Sequence, residues 1–178
     1  MIFKPCKIEG VYRIEMEKIQ DERGFFARSF CQEEFRERGL EFSCVQCNVS
    51  YNEKKGTLRG MHFQTAPFEE AKIVTCIKGS IYDVVIDLRR ESNTYLQWES
   101  FVLNEKDRLS LYIPEGLAHG FQTLEDHTEV FYQMGQFYHP ECSCGVRWND
   151  KAFNISWPPA GHRIISEKDA DFQDFLIG

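Results

Sequence analysis

The sequence predicts an all-β domain, a sandwich or barrel with few and short helices. Most of the 178 residues divide into short runs rich in β-branched and aromatic residues, separated by Gly-containing or charged turns at nearly even spacing. The length corresponds to one domain at roughly 150 residues per domain. Because no repeat, low-complexity tract or linker interrupts the chain, we expect a single domain over residues 1–178.

The strands are predicted from β-branched and aromatic runs. The segment from Ala71 to Leu88 contains two such runs on either side of Lys78-Gly79-Ser80, which predicts a hairpin. Four more strands are predicted, over Trp98 to Leu103, Leu109 to Ile113, Ala118 to Leu124 and Thr128 to Met134. Their even spacing is typical of a meander.

Helix is predicted at two places. The segment from Cys31 to Arg38 is rich in helix formers and is followed by Gly39, a residue type that readily takes the left-handed conformation after a helix. Trp157-Pro158-Pro159 cannot continue a central strand. Beyond it, a polar helical tail is predicted from Ser166 onward, so the fold should carry a C-terminal helical segment.

Composition and charge exclude several classes of protein. The 21 Lys and Arg against 28 Asp and Glu give a net charge of −7, which disfavours a protein that must neutralise many nucleic-acid phosphates. No apolar run reaches the roughly 18 to 20 residues of a membrane span, and the first ten residues lack a signal-peptide pattern. We therefore expect a cytoplasmic protein with no nucleic-acid or membrane partner.

The seven cysteines are an odd number in a chain that is too long to depend on disulfides, and we expect reduced thiols. Cys44 and Cys47 lie in a strand-like run with no helix after it, and the spacing of Cys142 and Cys144 is poor for zinc. A structural zinc site is therefore not expected.

Two short stretches, Gly56 to Gln64 and Pro114 to Gly120, resemble the two motifs that supply metal ligands in cupin jelly rolls. The position of the second histidine in the first motif is Gln64, a poor ligand for a transition metal, so no metal is expected. His62 and His119 then become candidate proton carriers. A lone histidine is more often a core residue, but two within one cupin frame favour the functional interpretation.

Strand periodicity tests whether these residues share one face. His62 points with Gly60 and Gln64, and Arg59 points the other way, so Arg59 and His62 line one pocket only if the strand bulges at Gly60. In the strand from Thr128 to Met134, alternation can place the Tyr132 hydroxyl inward, where a phenol needs a partner.

The chain resembles the deoxythymidine diphosphate (dTDP)-4-dehydrorhamnose 3,5-epimerase family, metal-free cupins of deoxysugar nucleotide biosynthesis, over nearly its whole length. The residues that carry this resemblance are Asp21-Glu-Arg-Gly-Phe-Phe26, Gln46-Cys-Asn48, Leu58-Arg-Gly-Met-His-Phe-Gln64, Lys72, Asp83-Val-Val-Ile-Asp-Leu-Arg89, Ile113-Pro-Glu-Gly-Leu-Ala-His-Gly-Phe121, Tyr132, Trp148-Asn-Asp150, Trp157-Pro158 and Ser166-Glu-Lys-Asp169. The resemblance implies a cupin-type jelly-roll barrel that epimerises a sugar nucleotide.

The resemblance also implies the catalytic residues. His62 corresponds to the base, Asp169 to the carboxylate that pairs with it, and Tyr132 to the acid on the opposite face of the sugar. Lys72 and His119 would lie at the sugar and its 4-keto oxygen. This chemistry fits the residue types, because a ketone acidifies its neighbouring C–H bonds and the resulting enolate needs a nearby positive charge. Taken alone, Ser166-x-x-Asp169 favours a helix capping box, in which the carboxylate binds only backbone.

The substrate-binding residues follow from the same resemblance. Those implied at the nucleotide or its surroundings are Arg23, Gln46, Asn48, Arg59 and Lys168. The aromatic pair Phe137-Tyr138 is a candidate stacking platform for the base. The family works as a homodimer in which the segment around Arg23 reaches the neighbouring subunit's site, and no cofactor is needed.

Three positions depart from the family pattern. Arg28 and Ser143 stand where the family has glutamates near the nucleotide, and Cys47 replaces the common aspartate between Gln46 and Asn48. These changes leave open a cytidine diphosphate (CDP) sugar as substrate, or epimerisation at C3 or C5 alone. A cupin dioxygenase and a sugar-nucleotide-binding cupin without turnover are the alternatives from other classes.

Overall fold

The protein is an antiparallel β sandwich, described by a computed structural model that covers residues 1–176. Its strands in chain order are β1 (Ile2–Pro5), β2 (Tyr12–Glu15), β3 (Ile19–Asp21), β4 (Gly24–Phe26), β5 (Gln46–Asn52), β6 (Leu58–Gln64), β7 (Lys72–Lys78), β8 (Ser80–Asp87), β9 (Trp98–Asn104), β10 (Ser110–Ile113), β11 (Leu117–Thr123), β12 (Thr128–Met134) and β13 (Ser143–Gly145). Two short α-helices, α1 (Gln32–Arg36) and α2 (Glu167–Ala170), and a 3₁₀ helix (Pro140–Cys142) complete the described elements.

The strands form two sheets and a separate hairpin. One sheet has six strands in the order β1-β2-β10-β7-β12-β5, and the other has five in the order β13-β6-β11-β8-β9. The hairpin consists of β3 and β4. This arrangement confirms the predicted jelly-roll fold class. The single domain over residues 1–178 stays a prediction, and its last two residues lie outside the described ones.

The main core lies between the two sheets. Val74 and Val130 of the six-stranded sheet pack there against Val85 and Phe121 of the five-stranded sheet, all four side chains being at most 1% exposed. Side chains alternate between the two faces of a strand, so these positions are the inward half of each apolar run. Burial of the inner faces therefore holds the two sheets together.

Each sheet also buries part of its outer face. Phe35 of α1 is completely buried and packs with Phe42, Ile73 and Tyr112 on the outside of the six-stranded sheet. Removing a fully buried phenylalanine side chain costs about 3 to 5 kcal/mol, so α1 is an integral part of the fold. On the five-stranded sheet, a second outer cluster contains Met61, Val84, Ile86, Ala118, Val146 and Phe153.

The predicted hairpin at Lys78-Gly79-Ser80 is wrong. Strands β7 and β8 lie in different sheets, β7 between β10 and β12 and β8 between β11 and β9. Gly79, with a φ of +74°, carries the chain from one sheet to the other, and a Cβ there would lie 2.6 Å from Thr128 Oγ1. The turn residues were identified correctly, but turn chemistry alone does not reveal whether the next strand returns to the same sheet. The predicted meander is wrong for the same reason.

The helices are shorter than predicted. The helix predicted from Cys31 to Arg38 is observed over Gln32–Arg36, and it is followed by Gly39 with a left-handed φ of +70° as expected. The polar tail from Ser166 contains only the four-residue α2. No helix among residues 1–176 is long and apolar enough to cross a membrane.

Some inward positions of both sheets are polar. On the six-stranded sheet these are Lys72 at the start of β7 and Tyr132 in β12, and on the five-stranded sheet Asp83 in β8 and His119 in β11. They share the inward face with the core residues, since Tyr132 pairs with Val74, Asp83 with Phe121 and His119 with Val85. The same two sheets that build the apolar core therefore also present polar side chains that face each other.

Candidate active site

A cavity of about 510 Å³ opens between these polar side chains. Nine of the eleven predicted site residues line it: Gln46, Asn48, Arg59, His62, Lys72, His119, Tyr132, Tyr138 and Lys168. Of the other two, Asp169 contacts His62, whereas Arg23 lies elsewhere on the surface. The fold thus brings together residues that are more than 120 positions apart in the sequence.

His62 forms a close pair with Asp169. His62 Nε2 lies 2.8 Å from Asp169 Oδ1, with the imidazole 42% exposed and the carboxylate 8% exposed. Asp169 Oδ2 accepts a hydrogen bond from the backbone N–H of Gly60 at 3.2 Å. Burial by itself would raise the pKa of Asp169, but the interactions with His62 and Gly60 outweigh it and hold that pKa below its usual value. The carboxylate is therefore ionised at neutral pH and is placed to stabilise the imidazolium that forms when His62 accepts a proton.

Helix α2 presents Asp169 to the cavity. Ser166 Oγ accepts a hydrogen bond from the backbone N–H of Asp169 at 3.2 Å, which is one half of a capping box. The reciprocal bond from the Ser166 N–H to the Asp169 carboxylate is not made within residues 1–176, because both carboxylate oxygens bind His62 and Gly60. Capping uses the backbone of Asp169 and leaves its carboxylate for the imidazole.

The predicted bulge at Gly60 is confirmed. The pairing of β6 with β11 shifts register between Arg59 and His62, so both side chains line the cavity although they are three positions apart. Gly60 has a φ of +131°, and a Cβ there would lie 2.5 Å from the Cα of Gly120 on β11. The bulge therefore requires two glycine backbones in close contact.

His119 forms a second pair with a carboxylate, at Asp83. His119 Nε2 lies 2.8 Å from Asp83 Oδ2, and the side chains are only 5% and 0% exposed. The other oxygen, Asp83 Oδ1, is buried without a hydrogen-bond partner in the described part of the chain. Burial raises the pKa of Asp83, against the opposing effects of His119 and Lys72.

Tyr132 faces His62 across the cavity, because β12 and β6 belong to opposite sheets. Its hydroxyl makes no hydrogen bond within residues 1–176, so the group is free for a ligand. Burial raises the pKa of Tyr132, and the carboxylate of Asp83 raises it further, while Arg59 acts in the opposite direction. The phenol therefore stays neutral at physiological pH and is able to donate its proton.

Lys72 lines the cavity beside Tyr132. Lys72 on β7 pairs with Met134 on the neighbouring strand β12, and Met134 lies two residues after Tyr132. Its Nζ donates a hydrogen bond to Glu70 Oε1 at 2.7 Å. Both members of this ion pair are 5% exposed. A lysine held in this way presents its remaining N–H groups to an oxygen atom in the cavity.

The outer part of the cavity is polar and carries positive charge. Gln46 Nε2 donates to Asn48 Oδ1 at 3.1 Å on β5, and Arg59 Nε donates to Asn52 Oδ1 at 2.8 Å. Neither Arg59 nor the exposed Lys168 forms an ion pair within the described chain, so both charges are available to an anion. This arrangement is suited to a diphosphate next to a hydrogen-bonding group.

Comparison with known proteins identifies the family. Residues 5–176 match the family model described as dTDP-4-dehydrorhamnose 3,5-epimerase. A relative of that name from Methanothermobacter thermautotrophicus is 41% identical over 173 residues, which cover 96% of this chain and 92% of the relative. The chain belongs to the dTDP-4-dehydrorhamnose 3,5-epimerase family.

Solved structures agree with this assignment. The Bacillus anthracis dTDP-4-dehydrorhamnose 3,5-epimerase, solved with TDP and pyrophosphate bound, superposes with a TM-score of 0.93 at 37% identity and covers 98% of this chain and 100% of its own. A 3′-monoepimerase from Streptomyces bikiniensis, solved with dTDP-quinovose, gives a TM-score of 0.88 at 30% identity over 96% of this chain and 86% of its own. The fold of this family therefore occurs in both double and single epimerases.

Gln64, which stands at the position of a metal-binding histidine in the cupin motif, has a structural role. Gln64 Nε2 donates to the backbone carbonyls of Phe68 and Phe137, and its Oε1 accepts the backbone N–H of His139 at 2.6 Å. These bonds hold the loop that places Tyr138 in the cavity wall. Phe137, the other residue of the predicted stacking pair, does not line the cavity. No cluster of three or more His, Cys, Asp or Glu suited to a metal occurs among residues 1–176. The absence of a metal stays a prediction.

The three residues that depart from the family pattern, Arg28, Ser143 and Cys47, have different surroundings. Arg28 points away from the cavity and pairs with Glu34 of α1 at 2.8 Å. Ser143 of β13 lines the cavity. Cys47 is exposed, and its Sγ lies 3.5 Å from that of Cys44. All seven cysteines are free thiols.

Sequence reasoning missed two carboxylates, Glu70 in the cavity wall and the buried Asp83 behind His119. Asp83 occurs within the quoted family motif, but it received no role there because its partner His119 is 36 residues away. A single acid inside the apolar run from Ile81 to Ile86 was the available signal, since such an acid needs a buried partner. For Glu70, the available signal was that it lies two residues before Lys72 in the sequence.

Proposed function

We propose that this chain converts dTDP-4-dehydro-6-deoxy-D-glucose to dTDP-4-dehydro-L-rhamnose by epimerisation at C3 and C5. The observation that carries the proposal is the placement of the His62–Asp169 pair and the Tyr132 hydroxyl on opposite walls of one cavity. Inversion at a carbon requires that the proton leaves one face and returns to the other. Two proton carriers on facing sheets meet that requirement.

In the first step, His62 takes the proton from a carbon next to the ketone. The electrons of the C–H bond form the carbon–carbon double bond of an enolate, and the former ketone oxygen becomes an oxyanion. Asp169 stabilises the imidazolium that His62 becomes. Lys72 stabilises the oxyanion with its fixed positive charge, and His119 borders the same part of the cavity.

In the second step, Tyr132 donates its proton to the opposite face of the same carbon. The ketone is restored with inverted stereochemistry, and Tyr132 and His62 return to their starting states by exchanging protons with water. No electron leaves or enters the sugar, so the reaction as written needs no cofactor. The same residues act at both carbons, since both lie next to the 4-keto group.

The nucleotide is assigned to the outer part of the cavity. Arg59 and Lys168 carry charges suited to the diphosphate, Tyr138 offers a ring for stacking, and Gln46 and Asn48 offer hydrogen bonds. The dTDP sugar is favoured over a CDP sugar because TDP is bound in the structure from Bacillus anthracis.

The decisive test is hydrogen exchange with solvent. The enzyme is incubated in D₂O with the 4-keto-6-deoxyglucose nucleotides of dTDP and of CDP, and hydrogen loss at C3 and C5 is followed by NMR. Exchange at both carbons of the dTDP compound is expected. Exchange at one carbon would instead indicate a single-site epimerase such as the 3′-monoepimerase relative. No exchange with either compound would indicate a binding protein, and activity that EDTA abolishes and iron restores would indicate a dioxygenase.

A homodimer forms part of the proposal. The β3–β4 hairpin exposes 71% of Ile19 and 74% of Phe26, and Arg23 at its tip is paired only with Asp21 in the described chain. Exposed apolar side chains of this size commonly mark an interface. We assign Arg23 to the cavity of the neighbouring subunit, and a cytoplasmic location likewise stays a prediction.

Mixing two inactive variants tests this arrangement. Arg23→Glu should disable the neighbouring site, and His62→Asn disables its own site. A mixed dimer then contains one site with both wild-type residues, so mixing should restore about a quarter of wild-type activity after subunit exchange. Unrestored activity, or a monomer by light scattering at micromolar concentration, would refute the shared site.

A further inference from the structure

Glu70 and Lys72 form an ion pair that is almost completely buried in the cavity wall. Glu70 Oε1 accepts the hydrogen bond from Lys72 Nζ at 2.7 Å, and each side chain is 5% exposed. The second carboxylate oxygen, Glu70 Oε2, is buried without a hydrogen-bond partner within residues 1–176. Lys72 is therefore the sole hydrogen-bond donor to this carboxylate in the described chain.

Such a pair is costly for a purely structural contact. Removing two charges from water costs several kcal/mol per ion, and a neutral pair of similar size is often equally stable. The unpartnered oxygen adds a further cost. The other two cations of the cavity, Arg59 and Lys168, form no ion pair with a carboxylate in the described structure. Of the three cavity cations, Lys72 is therefore the one that is paired.

The surroundings of Lys72 show what the pair adds. Asp83 on β8, His119 on β11 and Tyr132 on β12 also face this part of the interior. His119 is already hydrogen-bonded to Asp83, which leaves Glu70 as the direct partner of the lysine. The long lysine side chain would otherwise have several rotamers in the open cavity. Glu70 selects one and leaves the other two N–H groups free.

We propose that Glu70 is a positioning residue for the epimerisation, acting through Lys72. It fixes the ammonium where the ketone oxygen becomes an oxyanion. The inference rests on the proposed function, which places the ketone oxygen at Lys72. Because the oxyanion exists only during the reaction, Glu70 contributes to kcat more than to KM.

The test uses two substitutions and a matched control. Glu70→Gln keeps an oxygen acceptor for Lys72 but removes the negative charge, and Glu70→Leu removes both. Glu69→Gln makes the same chemical change one residue earlier, at a half-buried side chain that lies outside the cavity and makes no hydrogen bond within the described chain. The pH profiles of kcat and kcat/KM are measured for each purified variant, together with the melting temperature.

Glu70→Gln should lower kcat about 10-fold, with KM changed less than about 3-fold. Glu70→Leu should lower kcat about 100-fold, so the glutamine retains part of the function. Glu69→Gln should match the wild type in all three measurements.

A purely structural role gives a different result. It lowers the melting temperature or the active fraction but leaves kcat per folded enzyme unchanged, and that outcome for Glu70→Gln would overturn the inference whatever becomes of Glu70→Leu. Absence of exchange in the wild type would instead overturn the proposed function, and with it this role of Glu70. Wild-type exchange with an unaltered Glu70→Gln profile would overturn the inference alone.

Discussion

The two histidine–carboxylate pairs of the cavity have the same contact but different surroundings. In each pair Nε2 lies 2.8 Å from a carboxylate oxygen. His62 is 42% exposed, and its partner Asp169 has a pKa below the usual value. His119 is 5% exposed, and burial raises the pKa of its partner Asp83. A hydrogen-bond distance alone therefore does not define what such a pair does.

The difference follows from where each carboxylate lies. Asp169 is on a short helix at the edge of the cavity and receives a second hydrogen bond from the Gly60 backbone. Asp83 is in the middle of β8 and has one oxygen without a partner in the described chain. An exposed imidazole next to an ionised carboxylate exchanges protons with a ligand and with water. A buried pair instead holds its ring in a fixed orientation, at a cost in desolvation.

The largest expected effect comes from removing the exposed imidazole. His62→Asn should lower kcat by about 10⁴-fold and abolish hydrogen exchange, because the other imidazole of that wall, His119, is buried and hydrogen-bonded to Asp83. Exchange measured by NMR in D₂O checks this. His162→Asn, at an exposed histidine outside the cavity, is the matched control and should be fully active. Wild-type exchange in His62→Asn would remove the base from the mechanism.

Tyr132→Phe should separate the two proton transfers. Loss of the phenol proton should lower epimer formation about 10³-fold while hydrogen exchange falls less than about 10-fold, since His62 still removes and returns the proton on its own face. NMR of the same reaction in D₂O reports both quantities. If exchange and inversion fell together, Tyr132 would not be the donor on the opposite face.

Asp169→Asn should have an intermediate effect, lowering kcat about 10- to 100-fold. The amide retains the backbone capping contact with Ser166 but no longer stabilises the imidazolium, so the acid limb of the pH profile should move to lower pH. A variant with wild-type kcat and a lower melting temperature would show that the carboxylate serves only the helix.

The parts of the site that sequence reasoning predicted depend on short-range patterns. Alternation in β6 required a bulge for Arg59 and His62 to meet, and only glycine at Gly60 permits it. The family motifs supplied the residues of the cavity wall in the same way, since each motif is a continuous stretch of at most nine residues. Both kinds of inference use information that lies within about ten residues.

The parts that were missed depend on which strands become neighbours. The turn at Gly79 predicts a hairpin, yet β7 pairs with β10 and β12, and β8 pairs with β9 and β11, so the two strands beside Gly79 do not pair with each other. Asp83 and His119 meet because β8 pairs with β11, a contact that neither strand encodes alone. Long-range pairing is set by the packing of the whole sandwich, so a single sequence does not reveal it.

The smallest expected effect is on the free energy of unfolding, whose pH dependence distinguishes Asp169 from Asp83. Because the folded pKa of Asp169 is lowered, its contribution to the free energy of unfolding is present above the unfolded value of about 3.9 and is lost as the pH falls through the folded value. The folded pKa of Asp83 is raised, so its contribution is greatest below about pH 3.9 and is lost as the pH rises through the folded value. Urea unfolding of Asp169→Asn and Asp83→Asn between about pH 2 and 7 should therefore give differences from wild type with opposite pH slopes, the slope for Asp169 lying below about pH 3.9 and that for Asp83 above it. Asp171→Asn, at an exposed aspartate next to α2, should show no slope, and slopes of equal sign for Asp169 and Asp83 would contradict the distinction between the two pairs.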